Sequence, residues 1–136
     1  MNDSQSQISE FKSKSGLKRI LCAFHYSVAG LRTAWRSEHA FRQELMVVVP
    51  GCIIAFLAPV PGLQRVALIA VLFLVLIVEL INSAIEAVVD RVSFERHPLS
   101  KNAKDFGSAA VFLALTLAVI TWGIILLPVI LGRPAH

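Results

Sequence analysis

Residues 66–89 run for 24 positions through side chains suited to lipid, and only Glu79, Asn82 and Glu86 put acidic or amide groups in the way, with Asp90 just past the end. At about 100° per residue these four positions fall at about 0°, 300°, 340° and 20°, so a helix carries them as one narrow stripe. An ionised side chain at mid-bilayer costs about 2.5–3.5 kcal/mol on insertion scales. Three carboxylates and an amide on one face therefore point to a site in the membrane rather than to packing.

Two further runs extend this pattern. Residues 45–63 lack charge between Glu44 and Arg65, and residues 108–131 are apolar around Trp122 and Pro128. About 20 residues cross the hydrocarbon core as a helix, so the expectation is three spans, at 45–63, 66–89 and 108–131. Pro50 sits inside the first, and Pro59, Pro61 and Gly62 read as the turn that ends it. Ser37 reads as a helix N-cap, with Glu38 in the first turn where the helix dipole favours it. The polar stretch between the second and third spans, residues 90–107, is long enough to cover a site at the membrane surface.

Composition agrees. The chain has 136 residues, 56% hydrophobic and 16% charged, with a mean hydropathy of +0.70, which describes one small membrane domain. Cys22 and Cys52 lie 30 positions apart with no metal or disulfide spacing. The net charge of +4 does not indicate nucleic acid, because the bases flank the spans and no recognition module accompanies them. Residues 1–15 lack the apolar stretch of a signal peptide and read as a cytoplasmic tail.

Within residues 17–35, Leu17, Ile20, Leu21, Phe24, Val28, Leu31 and Trp35 gather on one helical face, flanked by Lys18, Arg32 and Arg36. That is the pattern of a helix lying in the membrane interface with its bases toward anionic headgroups. Most lysines and arginines precede the first span or fall between the second and third, leaving Arg65 and Arg133 opposite. The positive-inside rule then places the amino terminus and the second loop in the cytoplasm. The polar end of the second span faces the same side, where nucleotides are.

Glu79 and Glu86 share a face but stand about 10 Å apart along the axis, too far to ligate one metal unaided. Glu38, at the same interface, is the candidate second carboxylate, and hard oxygens of this kind suit Mg²⁺. Glu79 is either a structural carboxyl bonded to Asn82 or another helix, or a general base. Asn82 taken alone is an interhelical hydrogen bonder, and Asp90 alone a helix-end cap or a partner for Arg91. Lys104, Asp105 and Ser108 share a face at the start of the third run, where a lysine can hold a phosphate. No glycine-rich phosphate loop and no HExxH is present, and only His97 of the four histidines falls near the proposed site.

Three blocks carry a family resemblance: ELINSAIEAVVDR at 79–91, AWRSEHAFRQE at 34–44 and AKDFGSAAV at 103–111. The first closely resembles the signature of the small bacterial integral-membrane diacylglycerol kinases, and the similarity covers roughly residues 17–127. That resemblance implies an all-α membrane protein, a homotrimer of three-span protomers each with an amphipathic surface helix, and active sites shared between subunits in the bacterial inner membrane. It implies transfer of phosphate from ATP to diacylglycerol, giving phosphatidic acid. Glu79 matches the family's catalytic base, and Glu38 and Glu86 match the ligands of the Mg²⁺ carried by ATP. Arg19, Tyr26, Glu95, Arg96, His97, Lys104 and Asp105 match nucleotide contacts. Arg19, Ala23, Phe41, Arg42 and Ser108 match the lipid side, and Asn82 and Asp90 match polar site positions. An undecaprenol kinase of the same superfamily and a non-enzymatic proton-relaying or structural subunit are the alternatives.

Overall fold

The computed structural model describes residues 16–92 and 97–132 as four helices and short links. The tail at 1–15 and the expected nucleotide contacts Glu95 and Arg96 lie outside these residues. In chain order the helices are α1 (Gly16–Ser37), α2 (His39–Leu57), α3 (Gly62–Val92) and α4 (Pro98–Ile130). Contacts divide the chain into two units, one ending at Ser37 and one beginning at Glu38.

In the first unit, α1 satisfies its hydroxyls internally. Ser27, Thr33 and Ser37 each donate to the carbonyl four residues back, at 3.0, 3.0 and 2.9 Å, the back-bonding that lets small polar residues sit inside a helix. Ser37 is the last residue of α1 and not the N-cap of the next helix. The N-cap of α2 is instead Glu38, extended at φ −98° and ψ 114°, and its side chain makes no cap hydrogen bond.

In the second unit, α2, α3 and α4 are each long and apolar enough to cross a bilayer, and α3 packs against both of the others. The helices and the apolar runs do not coincide at their ends. Hydropathy marks the stretch that lipid surrounds, whereas a helix goes on until its hydrogen bonding or its dihedrals fail. So α2 starts at His39, well before the charge-free stretch, and stops at Leu57 because Pro59 drives the preceding Ala58 out of the helical region, to ψ 138°. Likewise α4 starts at Pro98, within the polar stretch, so that Lys101 joins Lys104 and Asp105 on one helix. Pro98 suits the first turn, and the ring of His97 caps it by accepting from the Leu99 amide at 3.2 Å. At the other end of α4, Gly132 takes φ 69° and donates to the carbonyl of Val129 at 3.1 Å, a left-handed stop.

The α2–α3 turn is held by Arg65. Its guanidinium donates to the carbonyls of Ala58 and Val60 at 3.2 and 3.5 Å and lies 5.9 Å from the Phe56 ring centre. Above the turn, Ala55, Ala58, Val60 and Leu68 form one buried cluster with Trp122 against it. The indole N–H of Trp122 crosses from α4 to the Leu68 carbonyl of α3 at 3.1 Å. A second cluster, Val75 with Ala114 and Ala118, continues the core, its alanines permitting the close approach that membrane helices use in place of a hydrophobic drive. On α3 the buried positions are Leu68, Leu72, Val75 and Glu79. The spacing of four, three and four is a core stripe, and Glu79 is its next member.

Candidate functional site

Continuing that spacing beyond Glu79 by three, four and four gives Asn82, Glu86 and Asp90, so the polar stripe is the packing stripe carried on into polar residues. Glu79 is only 4% exposed, among the described residues the one buried polar side chain. The charges of Glu86 and Glu38 both act on it, and it in turn acts on Glu44 of α2. Four carboxylates from α3, α2 and the N-cap of α2 thus lie within electrostatic reach around one buried member. Like charges around a buried carboxyl favour a proton or a cation there.

Asn82 does not bond Glu79, as one sequence reading had it; its amide nitrogen donates to Glu86 Oε1 at 3.2 Å, one turn along α3. The amide oxygen of Asn82 is buried without a hydrogen-bond partner, facing Gly107 of α4. Asp90 neither caps α3 nor pairs with Arg91. Its Oδ1 accepts from Lys104 Nζ at 2.6 Å, tying the end of α3 to the start of α4. The charge of Glu86 also reaches Lys104. Asp105 meets Lys101 at 2.6 Å one turn away on α4, and Ser108 is exposed on the same helix.

On α2, Phe41 is buried and Arg42 contacts His39 Nδ1 at 2.8 Å. Arg19, Ala23 and Tyr26 belong to α1, in the first unit, where each is exposed. The second unit therefore brings together Glu38, Glu79, Asn82, Glu86, Asp90 and Lys104 of the expected set, and gives His97 a capping task.

Glu44 is a candidate site residue to which the sequence reading gave no role of its own, marking the start of the apolar run and the end of the 34–44 block. Its Oε2 is buried with no hydrogen-bond partner, and it stands at one end of an open groove of about 630 Å³ along α2. Gly51, Leu72, Val75, Ala118 and Trp122 are among the residues of its almost wholly apolar wall. Two neighbouring signals were available: its place in the 34–44 block, and its position at the lipid boundary.

Among the described residues no three histidine, cysteine, aspartate or glutamate side chains converge to hold a metal. The described residues therefore form no closed cage, and one or two of their carboxylates suit an ion completed by waters and phosphates, the habit of Mg²⁺.

The model of the prokaryotic diacylglycerol kinase family matches residues 25–126. The chain belongs to this family. It is 60% identical over 119 residues to the diacylglycerol kinase of Pseudomonas aeruginosa, covering 88% of this chain and 97% of that one. The diacylglycerol kinase of Escherichia coli K12 is 54% identical over 112 residues, 82% of this chain and 92% of its own. That of Haemophilus influenzae is 41% identical over 112 residues, 82% and 95%. Family membership and the three long apolar helices make this a multi-pass membrane protein.

Proposed function

We propose that this protein is a lipid kinase that transfers the γ-phosphoryl group of ATP to the free hydroxyl of 1,2-diacylglycerol, giving phosphatidic acid, at the cytoplasmic face of the bacterial inner membrane. The observation that carries this reading is the burial of Glu79 at a core position, 4% exposed, beside other carboxylates and near the head of an apolar groove. A family whose members include proteins named diacylglycerol kinase supplies the substrate class.

In this reading the acyl chains stay in the bilayer, one of them against the groove of α2, α3 and α4, while the glycerol end reaches the carboxylates. Glu79 accepts the hydroxyl proton as the lipid oxygen bonds to the γ-phosphorus. The bond from that phosphorus to the bridging oxygen breaks, and ADP leaves with the electron pair. Such a transfer asks the protein mainly to position groups and offset charge. Glu38 and Glu86 would hold the Mg²⁺ that accompanies ATP. When bound, that ion neutralises the β- and γ-phosphate oxygens.

Lys104 serves the phosphates by turning from Asp90. Arg19, Tyr26, Glu95, Arg96, His97 and Asp105 are the remaining nucleotide contacts. Arg19, Ala23, Phe41, Arg42 and Ser108 form the lipid side. The helix α1 lies in the interface with its bases toward anionic headgroups, and the amino terminus and the α3–α4 link are cytoplasmic.

The working unit is a homotrimer with shared sites. Several carboxylates on one short stretch are hard to shelter among three helices, and Ile81, Ala84, Ile85 and Val88 give α3 an apolar surface on the side opposite the polar stripe. Purified protein in mixed micelles should transfer phosphate from MgATP to diacylglycerol. Glu79→Gln should fold and lose about 100- to 10,000-fold in turnover, the worth of a general base. Full turnover by Glu79→Gln removes it from that role, and product from undecaprenol but not diacylglycerol reassigns the substrate. Full activity in a demonstrated monomer rules out sharing between subunits.

A further inference from the structure

We propose that Gly107 is a positioning residue for Glu86, acting through the amide of Asn82. Gly107 is buried inside α4. A glycine in a helix interior is unfavourable relative to alanine, so its presence needs a reason. Backbone conformation is not that reason, because among the described residues the glycine with positive φ is Gly132. Space is the reason.

A Cβ built on Gly107 would overlap Asn82 Oδ1, closer than real Cβ atoms approach a neighbour. The next two nearest atoms also belong to Asn82, Cγ at 3.3 Å and Cα at 3.8 Å. The amide of Asn82 therefore occupies the volume that a side chain at 107 would fill. Its oxygen has no donor there, being buried and unpartnered, so that end is seated by shape alone. The other end, Nδ2, donates to Glu86 Oε1 at 3.2 Å. Asn82 is thus wedged between the backbone of α4 and the carboxylate it orients, in the way that partners behind a metal ligand fix its direction. The proposal rests on the reading of Glu86 as a ligand of the nucleotide's Mg²⁺.

Gly107→Ala puts its methyl group on the amide while leaving the Cα of Asn82 at an ordinary contact distance. The side chain swings away, the helices stay packed, and Glu86 loses its donor. The expected result is a fall of about 10- to 100-fold in kcat/KM for MgATP, the usual cost of losing a group behind a metal ligand, with KM for diacylglycerol within about twofold of wild type. Binding of Mg²⁺ with β,γ-methylene-ATP in lipid-free micelles, which involves no turnover, weakens by a similar factor.

Asn82→Ala alone reproduces the loss. In that background Gly107→Ala costs less than about twofold more in either measurement, because no amide remains to displace. The double variant also withstands SDS unfolding at least as well as Asn82→Ala. Wild-type kinetics in Gly107→Ala, or full additivity of the two losses, overturns the proposal. Glu86→Gln distinguishes the two levels. Its retention of wild-type turnover removes the metal-ligand reading and this proposal together; additivity alongside an inactive Glu86→Gln removes the proposal alone.

Discussion

Replacing Trp122 by phenylalanine removes one hydrogen bond and part of one ring, and both losses can be sized. The indole N–H reaches the Leu68 carbonyl at 3.1 Å across the α3–α4 contact. That carbonyl, inside α3, keeps its ladder bond from four residues on, so no buried acceptor is left unpaired. The bond itself is then worth an ordinary net value, about 0.5–1.5 kcal/mol in water and on average about 0.6 kcal/mol between helices in a bilayer. The benzo carbons Cζ2 and Cη2 also face Gly51, each 3.6 Å from where a Cβ there would stand. Their removal forfeits dispersion contacts that lipid only partly replaces. Together the losses come to about 1–2 kcal/mol. Reversible SDS unfolding in mixed micelles, followed by near-ultraviolet ellipticity, measures it. Gly51→Ala provides the control: its Cβ meets Leu72 Cδ1 at 2.9 Å, whereas the indole carbons at 3.6 Å are in ordinary contact, so its cost should be much the same with or without the indole. A Trp122→Phe variant that unfolds at the wild-type SDS fraction would refute the clasp. A loss above about 3 kcal/mol would mean that the ring is held by more than this bond and these contacts.

Other parts of the structure lead to sharper choices of variant. His97→Ala should destabilise α4 by about 1 kcal/mol through loss of the cap on Leu99, while His97→Asn keeps the cap; if capping is its main task, the asparagine variant retains most activity in the micelle assay. Arg65→Met removes the donor shared by the Ala58 and Val60 carbonyls, and a lowered SDS midpoint with unchanged KM for MgATP is expected. Glu44→Gln, at the head of the groove, should raise KM for diacylglycerol more than KM for MgATP; the reverse split would detach Glu44 from the lipid side.

The all-helical architecture was readable because runs suited to lipid leave the backbone little alternative to a helix. The stripe of Glu79, Asn82, Glu86 and Asp90 was readable for the same reason, since one helix fixes their common face. What connects that stripe to other elements was not. The 2.6 Å pair of Lys104 with Asp90 spans fourteen positions of sequence and a link, and the wedge of Asn82 against Gly107 depends on how closely two helices approach. Spacing within one helix has no information about either. The helix ends were misjudged where local chemistry overrode hydropathy: Ser37 bonded backward to Thr33, and Pro98 with His97 started a helix in a polar stretch. Glu44 escaped notice because a charge at the edge of a span reads as a boundary until a neighbouring carboxylate from another helix is seen beside it.

Leu68, Leu72, Val75 and Glu79 occupy one seam, and this has a consequence for how sequences of this kind can change. A single residue inserted between Leu72 and Glu79 would leave α3 helical and long enough to cross the bilayer. It would also turn everything beyond the insertion by about 100°, moving the carboxylates off the seam toward lipid while Leu68 stayed in place. Substitutions can accumulate along α3, but its length between Leu68 and Asp90 is locked in phase.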